Sequence, residues 1–99
     1  MVTQKIIWST HSKENLIDIY DYFNFRNKSK LYSQKLHRIF QSEVKRLIQN
    51  NEIGIQTNNE LIRGLIVGDY TLFYEIKPEF IEILTVWDNR QNPNKIDYF

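Results

Sequence analysis

Arg63, Arg90, Lys95 and Tyr98 are the side chains of this sequence best suited to work on a phosphate. Cutting a phosphodiester without a metal means stabilising a dianionic, pentavalent phosphorus centre while protons move on and off its oxygens. Fixed cations aimed at that charge are usually the largest part of such catalysis, and a tyrosine hydroxyl can serve as general acid. Arg63 and Arg90 sit near the two ends of residues 60–93, ELIRGLIVGDYTLFYEIKPEFIEILTVWDNRQNP. The same stretch admits a second use, recognition of a partner, in which Trp87, Arg90 and Gln91 form one contact patch continued by Lys95. Each residue also has a purely structural reading. The arginines are solvated strand ends paired with Glu60 or Asp88, Trp87 closes the end of a core, and Tyr98 packs back on it. His11 and His37 lack a spaced His, Asp or Glu partner, so no metal site is expected, and no cofactor.

Composition narrows the classes. At 99 residues the chain is expected to form one domain, 1–99, able to bury a core without staples. There is no cysteine, which excludes disulfides and thiolate metal sites and suits a reducing cytoplasm. The first residues lack the charged and apolar regions of a secretory leader, and no apolar run approaches the ~18 residues that a membrane span needs. Thirteen basic against twelve acidic residues leave a net charge of +1. That balance argues against a general nucleic-acid binder, whose affinity comes from neutralising phosphates, while leaving a local basic patch possible.

The elements that must position these side chains follow from periodicity. Residues 5–8, KIIW, read as a short strand running into a helix start at Ser9, Thr10 and Ser12, whose hydroxyls suit an N-cap. Leu16, Ile19, Tyr20 and Phe23 are spaced as one helical face, widened by Ile17 and Tyr22. The polar segment 24–29 breaks that pattern. A second helical series runs through Tyr32, Leu36, Ile39, Phe40, Val44, Leu47 and Ile48, with Lys35, Arg38, Glu43, Lys45 and Arg46 on its solvated side and a stop at Asn50 and Asn51. A loop over 52–59 leads into three β-runs, 61–67, 70–76 and 80–87. Gly68-Asp69 makes a type II′ hairpin turn, and Lys77-Pro78-Glu79 turns the chain again. Alternation puts Leu72 and Tyr74 on one face and Phe73 on the other. The summed reading is α+β in the order β-α-α-β-β-β: a twisted, mostly antiparallel sheet with a helical hairpin on one face. The place of the first strand in that sheet stays open.

Four segments in that order carry a family likeness: I-x-W-S at 6–9, L-x-x-I-Y-D-Y at 16–22, V-G-D-Y-x-x-x-Y-E-I at 67–76 and I-L-x-V-x-x-x-R-Q-x-P at 83–93. Together they resemble the RelE/ParE superfamily of type II toxins over nearly the whole chain. The resemblance implies the same fold and a cytoplasmic bacterial toxin, made beside a small antitoxin that wraps it in a hetero-oligomer. RelE-like members cut mRNA on the ribosome with basic side chains and a Tyr or His; ParE-like members poison DNA gyrase. Cutting members carry Arg on both sides of the hairpin, where this chain has Ile66 and Thr71. Losing two guanidiniums there removes several kcal/mol of charge stabilisation. The resemblance therefore implies a ParE-like toxin that binds gyrase through Arg90, Gln91 and Trp87. Two alternatives remain: a RelE-like mRNA endonuclease using Arg63, Arg90, Lys95 and Tyr98, or a non-toxic relative that acts with its antitoxin as a binding module. Antitoxin is expected on the open sheet face, over Phe73, Ile66 and Thr71, because exposed apolar patches mark interfaces.

Overall fold

The computed structural model, which describes residues 5–91, orders the elements as β1 (Lys5–Trp8), α1 (Thr10–Asn27), α2 (Leu31–Gln49), β2 (Ile55–Gln56), β3 (Ile62–Val67), β4 (Tyr70–Ile76) and β5 (Phe80–Asp88). The expected α+β order is present, with one addition: the two-residue β2, inside the predicted loop, pairs with β3. A strand so short has no periodicity to read. The sheet runs β1-β5-β4-β3-β2, so β5 is an inner strand, and β1 joins it in parallel while the other pairs are antiparallel. Gly68 carries a φ of +59° and Asp69 has no positive φ, the pattern of a II′ turn.

The helical hairpin covers one face of this sheet. Leu36, Phe40, Val44 and Leu47 of α2 meet Leu65, Leu72, Tyr74, Ile81 and Ile83 in one core, joined by Leu16 and Phe23 of α1. Fully burying each such side chain stabilises the fold by about 1.5–3 kcal/mol. The predicted face of α1 is narrower than the sequence suggests: Ile17 and Tyr22 are each 56% exposed, because α1 packs chiefly against α2 and β5. The helix also runs into the polar segment, as far as Asn27, and ends with Lys28 in the left-handed region at φ 51°. Asn24 is tolerated inside it because its Oδ1 accepts the Ser33 hydroxyl of α2.

A β-bulge interrupts the β4–β5 ladder, and the β1–α1 junction fixes how the hairpin sits on β5. Phe73 pairs with Thr85 and Tyr74 with Ile83, so the ladder skips Leu84. Trp8 is the last residue of β1 to pair with β5, and from there the start of α1 takes over the side of β5 that β1 no longer covers. Ser9 N–H donates to Ile83 O at 2.9 Å and its hydroxyl to Leu84 O at 2.9 Å, while its Oγ accepts from Ser12 N–H as the N-cap of α1. One turn on, Asn15 Oδ1 accepts both Val86 N–H at 3.0 Å and the Thr85 hydroxyl at 2.9 Å.

The bulge also turns Leu84 to the far face, where it forms a second cluster with Ile62 and Phe73, flanked by Trp87. Phe73 lies on the face away from the helices, as alternation requires, but it is buried and not exposed as expected. Its cross-strand partner is Gly64, and the ring fills the space a side chain would take: a Cβ built on Gly64 would come within 3.3 Å of Phe73 Cε1. On this face Ile66 and Ile55 are the more exposed apolar residues, at 56% and 57%.

Replacing Asn15 with Ala leaves the Val86 N–H without its acceptor. The expected cost is about 1–3 kcal/mol of unfolding free energy, read by urea denaturation; a change below about 0.5 kcal/mol would show that α1 is held on β5 by packing alone.

Candidate functional site

A cleft of about 630 Å³ opens between the first three turns of α1 and the C-terminal end of β5. His11, Asn15, Asp18 and Tyr22 line it from α1, Tyr70 from β4, Trp87 and Asp88 from β5, and Arg90 and Gln91 from the turn that follows. Asn15, Asp18 and Tyr22 are spaced i, i+3, i+7, one face of the helix beside its apolar stripe. The contacts of Asn15 with Thr85 and Val86 therefore aim this polar face at the strand end.

The turn after β5 is tied at both ends. Asn89 N–H donates to Asp69 O at 2.8 Å, and the buried Thr71 hydroxyl donates to Asn89 Oδ1 at 2.6 Å. Asp88 organises the rest: Oδ1 accepts Arg90 N–H and Arg90 Nε, each at 2.9 Å, and Oδ2 accepts Arg90 Nη2 at 2.7 Å. The hydrogen bonds from Arg90 hold the Asp88 carboxyl below the usual carboxylate range, and Asp88 in return raises the guanidinium further above its ordinary value. Arg90 is thus a half-neutralised cation, bidentate on its own carboxylate and 58% exposed. An exposed pair of this kind contributes little to stability because water screens it, so exchanging its partner for an incoming group is cheap. Burial, then the Asp88 charge, push the Tyr70 phenol up and keep it protonated. Besides Arg90 the cleft holds two carboxylates, Asp18 and Asp88, a balance that repels a phosphate dianion.

The sequence candidates separate in space. Trp87, Arg90 and Gln91 do line one cleft. Arg63 does not join them. It pairs across the ladder with Tyr74 on the helix side of the sheet, and its Nη1 donates to the carbonyls of Gly54 at 3.0 Å and Glu52 at 3.3 Å. Tyr74 anchors the same loop, accepting from Gly54 N–H and donating to Asn51 O. Arg63 therefore braces the loop that ends α2. Tyr74 lies four residues along β4 from Tyr70, the partner of Asp88, which sets the Arg63–Tyr74 pair about 13 Å along the strand direction from the cleft end. Lys95 and Tyr98 lie outside the described residues. Of the residues expected under antitoxin, Phe73, Ile66 and Thr71 share the far sheet face, but Thr71 and Phe73 are buried and Ile66 is exposed. The α1 side of the cleft, Asp18 and Tyr22, was not among the sequence candidates; its i, i+4 spacing is the signal that marks it. Among the described residues no group of three His, Cys, Asp or Glu could hold a metal ion, and no helix is long and apolar enough to cross a membrane.

Residues 6–93 match the family model described as the ParE toxin of type II toxin–antitoxin system, parDE. A solved structure of the chromosomal ParDE TA system from P. aeruginosa is similar with a TM-score of 0.75 at 19% identity, covering 87% of this chain and 96% of that one. At that identity the likeness speaks to the fold alone. No curated protein sequence matches the chain.

The Asp88–Arg90 pair sets a pH dependence. Because the folded-state pKa of Asp88 is depressed, its contribution is present above the ordinary carboxylate range and is lost as pH falls through the folded value. In an NMR titration Asp88 is expected to titrate below the ordinary carboxylate range, and Arg90→Ala to move it back up; an unchanged midpoint in the variant would remove Arg90 as the cause.

Proposed function

The chain belongs to the ParE toxin family of type II toxin–antitoxin systems, and from that membership we propose that it poisons DNA gyrase by binding it, without cutting RNA. The observation that carries this reading is the charge around the cleft. Arg90 is the one guanidinium there among the described residues, it is already paired, and two carboxylates stand beside it. A scissile phosphate needs several cations converging on one point, whereas Arg63 is committed to backbone carbonyls at the far end of the sheet. A protein surface asks for something different: an aromatic and an arginine at the rim of a pocket, the residue types that dominate binding energy. Trp87, Arg90 and Gln91 supply them, with Tyr22 opposite on α1.

The antitoxin partner belongs on the far sheet face in this reading. Ile66 and Ile55 are exposed there in neighbouring strands. Past its short ladder with β2, the edge of β3 over 65–67 has no strand partner on that side among the described residues, which suits a partner segment adding along the edge. Phe73 and Thr71 then act from beneath, as packing for Ile66.

Purified protein is expected to inhibit supercoiling by gyrase, and Arg90→Ala to weaken that inhibition about tenfold while leaving the thermal melt unchanged. No inhibition at high protein concentration, together with new 5′ ends on ribosome-bound mRNA by primer extension, would replace this reading with RNA cleavage. Growth unaffected by expression without antitoxin would leave only the non-toxic binding module. Ile66→Glu is expected to weaken antitoxin capture at least tenfold with gyrase inhibition intact; unchanged capture in a titration would move the antitoxin off this face.

A further inference from the structure

The near-zero net charge hides a division. Residues 26–50 hold seven of the 13 lysines and arginines but one carboxylate, Glu43, so this segment carries +6 and the rest of the chain −5. Glu43 is taken by Arg46 at 2.7 Å. The cations of α2 are in register. Lys35, Arg38, Ser42, Lys45 and Gln49 follow the i, i+3, i+7, i+10, i+14 spacing of a single helical stripe, and all five are exposed. They stand opposite Leu36, Phe40, Val44 and Leu47, which hold α2 to the sheet. Lys35, Arg38 and Lys45 have no ion-pair partner among the described residues.

We infer that the outer stripe of α2 is a docking surface for the phosphate backbone of duplex DNA. The helix is rigid and about 28 Å long, with cations spread over about 15 Å of it, a line that can follow a backbone carrying one charge per about 1.7 Å of duplex axis. A membrane surface fits less well: a helix lying on lipid turns an apolar face to it, whereas this stripe has no apolar residue from Lys35 to Gln49. A single strand fits less well too, because stacking on aromatic side chains carries much of that affinity, and the stripe has none. Such contacts carry no sequence information; they hold and orient. The stripe itself stands on charge and geometry alone. The choice of DNA over RNA rests on the gyrase reading above, since DNA is the nucleic acid that gyrase holds.

The test is fluorescence anisotropy of the full-length toxin with a labelled duplex of about 20 base pairs, titrated between 50 and 200 mM salt. Binding is expected at 50 mM, with log affinity falling linearly in log salt. Lys35→Glu/Arg38→Glu is expected to lose more than tenfold in affinity and about two units of salt slope. Lys5→Glu/Lys13→Glu, with the same net charge, is expected to lose less than threefold. Thermal melts check that both variants stay folded. Failure to bind duplex at 50 mM salt, or equal losses in the two variants, overturns the inference. So does preferential retention on phosphatidylserine vesicles, or tighter binding to an RNA duplex of the same length. The assay contains no gyrase, so DNA binding without gyrase inhibition would sink the earlier reading and leave this one standing.

Discussion

The end of β1 opposite Ile83 is the constraint on which the rest of this molecule depends. Past it β5 has no strand neighbour on that side among the described residues, and its backbone groups cannot remain unsatisfied in a buried setting. The β1–α1 junction supplies the partners: the Ser9 N–H closes the last bond of the ladder, the Ser9 hydroxyl meets Leu84 O, and the amide oxygen of Asn15 meets Val86 N–H and the Thr85 hydroxyl. Since Ser9 also caps α1, the same side chain starts the helix and fixes its seat on β5. The bulge in the β4–β5 ladder divides the apolar residues of β5, leaving Ile83 and Val86 under the helices and turning Leu84 to the other face.

From that seat the two ends of the sheet acquire different characters. At one end Tyr74 and Arg63 clamp the chain that leaves α2, using a buried hydroxyl and a guanidinium on main-chain groups. At the other, the turn after β5 is braced by Thr71, Asn89 and Asp69, and Asp88 folds Arg90 back on itself. Two arginines that are symmetric in the sequence, one at each end of the meander, thus do unlike things. Arg63 is satisfied by structure, whereas Arg90 is held by an exposed pair that a partner can open. Electrostatics separates the two sides of the molecule in the same way. The cleft is edged by carboxylates, and α2 turns its cations outward on the helical hairpin.

Period-2 and period-3.6 patterning determined most of the fold before any coordinates: β1, both helices, the β3–β4–β5 meander, the II′ turn at Gly68 and the inner position of β5, each a local signal written in consecutive residues. The grouping of Trp87, Arg90 and Gln91 was legible for the same reason, since they sit within five residues of one another. What needed the tertiary structure were the features set by contacts between distant residues. The end of α1 was hidden because Asn24 is polar for the sake of Ser33. The burial of Phe73 depends on Gly64 across the ladder, and the commitment of Arg63 on a loop that passes its side chain. The far wall of the cleft, Asp18 and Tyr22, is placed by Asn15 reaching 71 residues along the chain to Val86. Periodicity reports which face a residue occupies; only the pairing of distant backbone groups decides what that face meets.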